Sequence, residues 1–441
     1  MSPCCSHLLI LSLLTFMTTQ TQIVAQPPPG QSTEKPPVLS WQTLSDRMTW
    51  EADHGFSGVV LVVRDGAIAF HQAYGQSDRH LKIAMRPDTI CAIGSTPIDF
   101  TMAAVLKLVD MGKLQLSDPI TKCLKEVPQD KQAITIQQLM TGRSGLPDFH
   151  DIPGDKDKDH SWIDRDEAIR RILNSKLLFT PGSRREHSHS AFGLLAAIIE
   201  IVSGQSYQDF TREHLFIPAG MNDTGFFGEK IDPDRLAIGY GVRKDGEINA
   251  PPYWGKTSWL VMGSGGQTST ALDMFKWTQA LRNGKLLSPE SLKHYPIAGN
   301  GMLEGGDMYG FDIRYAGNPR QFMLIISNSG NRQTRPRLRA LGAELYALLF
   351  NVRPGKFTLG VQFQAEQNQP AKVVMVVPDG AAAQAGLQVG DLLLKAKGES
   401  LGDNPGPAFA KLLQSGDPFE LEIQRQGKTM TMKIKPMPRQ E

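Results

Sequence analysis

Gly94-Ser95-Thr96-Pro97-Ile98-Asp99-Phe100-Thr101 is the stretch around which the chain is organised. Asp88-Thr89-Ile90-Cys91-Ala92-Ile93 is its short apolar approach. Met102-Ala103-Ala104-Val105-Leu106-Lys107-Leu108-Val109-Asp110 follows, with apolar residues at helical spacing. The spacing predicts a helix entered through a glycine, with Ser95 at its mouth. Free N–H groups and the helix dipole favour negative charge developing there, which suits a nucleophile. An isolated serine in that place is more simply an N-cap, and the surroundings decide between the two.

Those surroundings resemble the active-site helix of serine β-lactamases, penicillin-binding DD-peptidases and related esterases. There S-x-x-K-x-F-T opens an Ala-rich helix that runs on to G-K-L-x-L-x-D-P. This chain has Ser95, Phe100 and Thr101, then Gly112-Lys113-Leu114-Gln115-Leu116-Ser117-Asp118-Pro119. Ile98 stands where the family places its lysine. The resemblance continues through the hairpin Ser57–Val63, Arg64-Asp65-Gly66, Ala67–His71. It includes Ile134–Thr141 leading into Ser144-Gly145-Leu146-Pro147-Asp148, Phe179-Thr180-Pro181-Gly182, the helix Leu194–Gly204 and Gly265–Met274. The family's second motif, Y-x-N, is replaced by His187-Ser188-His189. Its third motif, K-T-G or H-x-G, falls on Glu304-Gly305-Gly306. A rival register deletes that strand and reads Tyr309-Gly310-Phe311-Asp312 as the strand before it. Lys256-Thr257-Ser258 looks similar but comes too early in the chain.

The chain has 441 residues and a formal net charge of +2, which leaves room for two or three domains and gives no nucleic-acid signal. The apolar run Leu8–Met17 is short for a membrane span and fits a signal-peptide core, with a cleavage site after Ile23-Val24-Ala25. The expectation is an exported, periplasmic or extracellular protein without a stable membrane span after signal removal. Pro27-Pro28-Pro29-Gly30 and Pro36-Pro37 mark an extended linker. Residues 1–25 are thus read as signal peptide, 26–40 as linker, 41–350 as the hydrolase-like domain and 351–441 as a second domain. In that second domain Leu359-Gly360-Val361, Val373–Pro378, Ala381–Leu387 and Val389–Leu394 resemble a PDZ domain of the bacterial exported type. The expected fold is α+β: an antiparallel sheet flanked by helices, a helical subdomain with Ser95 between them, and a β-rich PDZ domain.

In the resembled family the serine attacks a carbonyl, the lysine takes its proton, and the other motifs relay protons to the leaving group. Ile98 can neither accept a proton nor hold charge. Lys107 lies about 18 Å along the helix axis from Ser95. The preferred reading is a catalytically degenerate member, a pseudo-enzyme that binds or scaffolds. The alternative is a divergent hydrolase of esters or amides, or of a peptidoglycan-like substrate. In it Ser95 is the nucleophile, His187 the base and Glu304 the carboxylate behind it. Metal binding by His187 and His189, with Glu186 and Asp148 as further candidates, ranks last, and no cofactor is expected. The PDZ-like domain is expected to take protein C-termini or extended peptides by strand addition, the Leu359-Gly360-Val361 loop receiving the carboxylate.

Overall fold

The computed structural model describes residues 36–441 apart from 149–160, 242–254, 296–301, 307–309, 332–333, 352–356, 367–368, 378–379, 403–404 and 439–441. The signal-like segment, most of the Pro-rich linker and the charged loop Asp155–His160 therefore lie outside the described residues.

Strand β1 (Gly58–Arg64) is buried from Gly58 to Val63, as a strand covered on both faces must be. Asp65 and Gly66 follow with φ of 51° and 85°. Positive φ at both central residues gives the two-residue turn whose twist matches its flanking strands. The chain returns as β2 (Ala67–Tyr74), antiparallel to β1 with Gly58 opposite Tyr74. Three further strands, β3 (Leu303–Gly306), β4 (Asp312–Gly317) and β5 (Phe322–Ser327), complete a sheet of order β2-β1-β5-β4-β3, antiparallel throughout. The period-2 alternation of β1 sends Val60 and Val62 to one face and Val59, Leu61 and Val63 to the other.

On the first face, Leu44 and Met48 of helix α1 (Leu44–Asp53) and Leu338, Leu341 and Leu345 of α6 (Thr334–Leu349) close a smaller core. On the second lies the main core, centred on α2 (Pro97–Asp110). Nine of its fourteen residues are buried, so it is a core helix rather than a surface one. The Phe100 ring meets Trp277 and Phe216 edge-on, at 4.7 and 5.1 Å between centroids, worth about 0.5–1.5 kcal/mol per pair beyond burial. Trp277 belongs to α5 (Ala271–Arg282). Helices α3 (Arg165–Asn174) and α4 (His189–Ser203) add the helical subdomain; α4 starts at its cap Ser188 and stops at Gly204, whose φ is +76°. Among the described residues no single helix is long and apolar enough to cross a membrane. Cys91 and Cys123 form no disulfide with each other.

The C-terminal region has its own core, with Leu359, Val373, Leu393, Phe409, Leu421 and Ile423 at its centre. Its sheet runs β6-β7-β8-β9-β10, formed by Val361–Glu366, Gln369–Val376, Leu392–Ala396, Phe419–Arg425 and Lys428–Ile434. β6 stands at its edge. Helix α7 (Gly406–Leu412) reaches that edge strand through Phe409, whose ring lies 5.8 Å from Phe363 of β6.

Candidate active site

Ser95 sits in the turn ahead of α2, and the N-cap of that helix is Thr96, not Ser95. The Ser95 carbonyl accepts from the Ile98 N–H at 3.2 Å. Its hydroxyl makes no hydrogen bond among the described residues. Pro97 occupies the first helical turn, where its missing N–H costs nothing. Gly94 is required twice over. Its φ is +54°, and a Cβ there would lie 2.4 Å from the Gly306 backbone nitrogen. The edge strand β3 therefore passes directly beside Ser95. Glu304, Gly305 and Gly306 lie on this strand; Tyr309 of the rival register lies outside the described residues.

Alternation along β3 decides what that strand offers. Leu303 and Gly305 face the main core; a Cβ at Gly305 would lie 2.7 Å from Thr96 Oγ1 and 2.9 Å from the Ile93 carbonyl. Glu304 and Gly306 point to the opposite face. There Glu304 is ion-paired with Arg314 of β4, and Arg314 packs against Gly342 of α6. The carboxylate expected behind His187 is thus turned away from Ser95 and held by Arg314. Thr96 Oγ1, at the junction of α2 and β3, is buried and has no hydrogen-bond partner among the described residues.

Among the described residues no lysine is bonded to Ser95. Ile98 is half-buried and packs on the main core. Lys107 donates to the Leu286 carbonyl at 3.0 Å. Asp99, the next residue along α2, directs its carboxylate to the Tyr315 hydroxyl of β4. Desolvation pushes the Asp99 carboxyl up to about 6, against the lowering effect of the Tyr315 hydrogen bond. Thr101 ties α2 to the neighbouring loop by donating to the Gly263 carbonyl at 2.6 Å, and shares a 2.6 Å bond with the Tyr207 hydroxyl.

The second-motif residues stand at the mouth of α4. A Cβ at Gly263 would touch the Phe192 carbonyl at 2.5 Å, and one at Gly265 would lie 3.4 Å from the Gly94 carbonyl. Only Ser264 separates the two glycines, which places the first turn of α4 within about 16 Å of Gly94. His189 is the first residue of α4 rather than part of an extended segment, and Ser188 caps the helix by accepting from the Ala191 N–H. The His189 Nδ1 lies 2.6 Å from Asp148 Oδ2, which also accepts the His189 backbone N–H at 3.1 Å. The His187 and His189 rings meet edge-on at 4.6 Å, with Phe192 behind His187 at 6.3 Å. Desolvation of its ring lowers the His187 pKa; repulsion from His189 and Arg185 adds to this and Asp148 opposes it. The carboxylate beside the histidines is therefore Asp148. From sequence alone Asp148 is only a metal candidate, because it precedes His187 by 39 positions along the chain. Donor atoms of Asp148, His187 and His189 lie within 4.8 Å of one another. Lys256, from the misplaced K-T-S, lines a separate cavity of about 510 Å³ with Trp162, Trp259, Arg212 and Glu229; none of Ser95, His187 and Glu304 borders it.

In the C-terminal region the Leu359 and Gly360 carbonyls accept from Ala382 and Val377, and the Gly360 N–H donates to Thr358 Oγ1. Gly360 has φ of +67°, and a Cβ there would lie 3.3 Å from Gly380 and Val377. This holds the Leu359-Gly360-Val361 loop at the start of the edge strand β6.

The Beta-lactamase family matches residues 42–337, and the PDZ domain family residues 372–425. PbpX of Bacillus subtilis (strain 168), named as a candidate penicillin-binding protein, is 31% identical over 310 residues, covering 67% of this chain and 75% of PbpX. The D-alanyl-D-alanine-carboxypeptidase/endopeptidase AmpH of Escherichia coli (strain K12) is 30% identical, covering 55% of this chain and 63% of AmpH. The crystal structure of a penicillin binding protein from Bacillus halodurans superposes with a TM-score of 0.56 at 24% identity, over 67% of this chain and 99% of that one. This chain belongs to the β-lactamase family of serine-hydrolase-like proteins and carries a PDZ domain after its β-lactamase domain.

Proposed function

We propose that the chain is a catalytically degenerate member of its family, exported from the cytoplasm, which acts by binding rather than by turnover. The observation that carries this reading is the setting of Ser95: its hydroxyl has no basic partner among the described residues, and Ile98 packs into the core where a lysine would lie. A serine hydroxyl without a base is a weak nucleophile at neutral pH. The third-motif strand turns Leu303 and Gly305 to the main-core side, and neither can take a proton; Glu304 is bound by Arg314 on the other face.

The PDZ domain is the binding module. β6 leaves one edge of its sheet open for an extended peptide, and α7 flanks that edge through Phe409. The loop at Leu359, Gly360 and Val361 leads into that edge strand, which supports its reading as the receiver of a peptide's terminal carboxylate. Incubation with a fluorophosphonate probe tests the degenerate reading. Ser95 should remain unlabelled while an active relative in the same tube is labelled. Labelling that disappears in Ser95→Ala would overturn it.

The second reading, a divergent hydrolase of esters or amides, is favoured by one observation: Asp148, His187 and His189 group two imidazoles and a carboxylate at the mouth of α4. It requires His187 to take the Ser95 proton, so His187→Ala should abolish any Ser95-dependent turnover.

A further inference from the structure

The geometry points to a divalent transition-metal site formed by Asp148, His187 and His189. Nothing in the family's serine chemistry calls for these residues, and the site stands whether or not Ser95 reacts.

Three features carry it. First, two imidazoles and one carboxylate come together from two segments far apart in sequence, with donor atoms within 4.8 Å of one another. Ligands around a tetrahedral zinc ion with 2.0–2.1 Å bonds stand roughly 3.4 Å apart. With separations of at most 4.8 Å, the array is of a size that an ion draws together. Second, the two segments are locked together. Ser188 donates to the Pro147 carbonyl at 3.1 Å while capping α4, and the His189 N–H donates to Asp148. The residues on either side of the donor set are thus pinned before an ion arrives. Third, the protonation pattern suits coordination. Asp148 Oδ2 and His189 Nδ1 already converge at 2.6 Å, so an ion that replaces the proton between them takes both atoms as ligands and releases that proton.

The donor set selects the metal. Two imidazoles with a carboxylate suit zinc, cobalt, nickel or copper, whereas calcium and magnesium prefer oxygen ligands throughout. His187 is exposed while Asp148 and His189 are half-buried, so an ion has a path in. Three protein ligands also leave one position for water or for a carboxylate or carbonyl of a bound molecule. A metal there would give the cleft an electrophile at the position where the family's second motif hands on protons.

Titration of the chelator-stripped full chain with zinc chloride by calorimetry, in parallel with cobalt(II) absorption, tests this. One equivalent should bind with a dissociation constant in the micromolar range or tighter. Cobalt should give the intense visible bands of a four- or five-coordinate ion. His187→Ala, His189→Ala and Asp148→Asn should each weaken binding at least tenfold, while His71→Ala, far from the cluster in sequence, should not. Circular dichroism confirms that each variant is folded, and His187→Ala changes an exposed side chain outside the helix. Absence of zinc and cobalt binding at 100 micromolar protein would overturn the proposal. So would unchanged affinity in both histidine variants, which would place any bound ion elsewhere.

Discussion

Asp99 is the carboxyl nearest in sequence to the vacant lysine position, and its behaviour with pH follows from its surroundings. Its carboxylate meets the Tyr315 hydroxyl against the main core, and the Tyr295 hydroxyl donates to its backbone carbonyl at 3.2 Å. Desolvation raises its pKa from the ordinary 3.8 to about 6. The folded state therefore holds this proton more tightly than the unfolded chain does. The resulting stability is fully present below about pH 4, declines as pH rises to about 6, and is absent above that. At about 1.4 kcal/mol for each tenfold change in proton affinity, ionising Asp99 costs the fold roughly 3 kcal/mol at pH 8. Asp99→Asn removes the charge but keeps an oxygen to accept from Tyr315. It also gives up a favourable charge in the first turn of α2, worth about 0.3–1 kcal/mol. The variant should therefore be about 1–3 kcal/mol more stable than the natural chain at pH 8 and nearly equal to it at pH 4. Urea unfolding followed by tryptophan fluorescence measures this domain alone, because all six tryptophans precede residue 278. A stability difference that is the same at both pH values would refute the reasoning, as would a less stable variant at pH 8.

Other outcomes follow from the same structure. Gly94→Ala should lose about 2–4 kcal/mol in the same unfolding assay, because the left-handed backbone and the contact with Gly306 both oppose a Cβ. Peptides ending in a free carboxylate should bind the full chain more tightly than the same peptides as C-terminal amides, by fluorescence anisotropy; equal affinity would remove the Leu359-Gly360-Val361 loop from the account. A chromogenic β-lactam should not be turned over by the natural chain or by Ile98→Lys, since residues of a proton relay act as a unit and the second and third motifs are also changed.

The fold was legible because its decisive signals are local. Asp65-Gly66 fixes the β1–β2 hairpin by turn chemistry, and the buried run from Phe100 to Leu108 fixes α2 by periodicity. The candidate site was legible only in part. The position of β3 could be read from chain order, but the direction of Glu304 depends on its pairing with Arg314 across β4, and a single-residue change of face reverses its role. His187-Ser188-His189 reads as an extended segment until Ser188 is seen to cap α4, which moves His189 onto a helix. Asp148 could be quoted as the end of the family-like segment Ser144–Asp148, yet its pairing with His189 is a long-range contact that no local pattern encodes.

The central claim is that Ser95 is not an activated nucleophile, and the rate of p-nitrophenyl acetate hydrolysis by the natural chain and by Ser95→Ala, compared between pH 6 and 9, tests it most directly. The account predicts that the two rates coincide at every pH, within the background given by the protein's other nucleophiles. A turnover that vanishes in Ser95→Ala would contradict it.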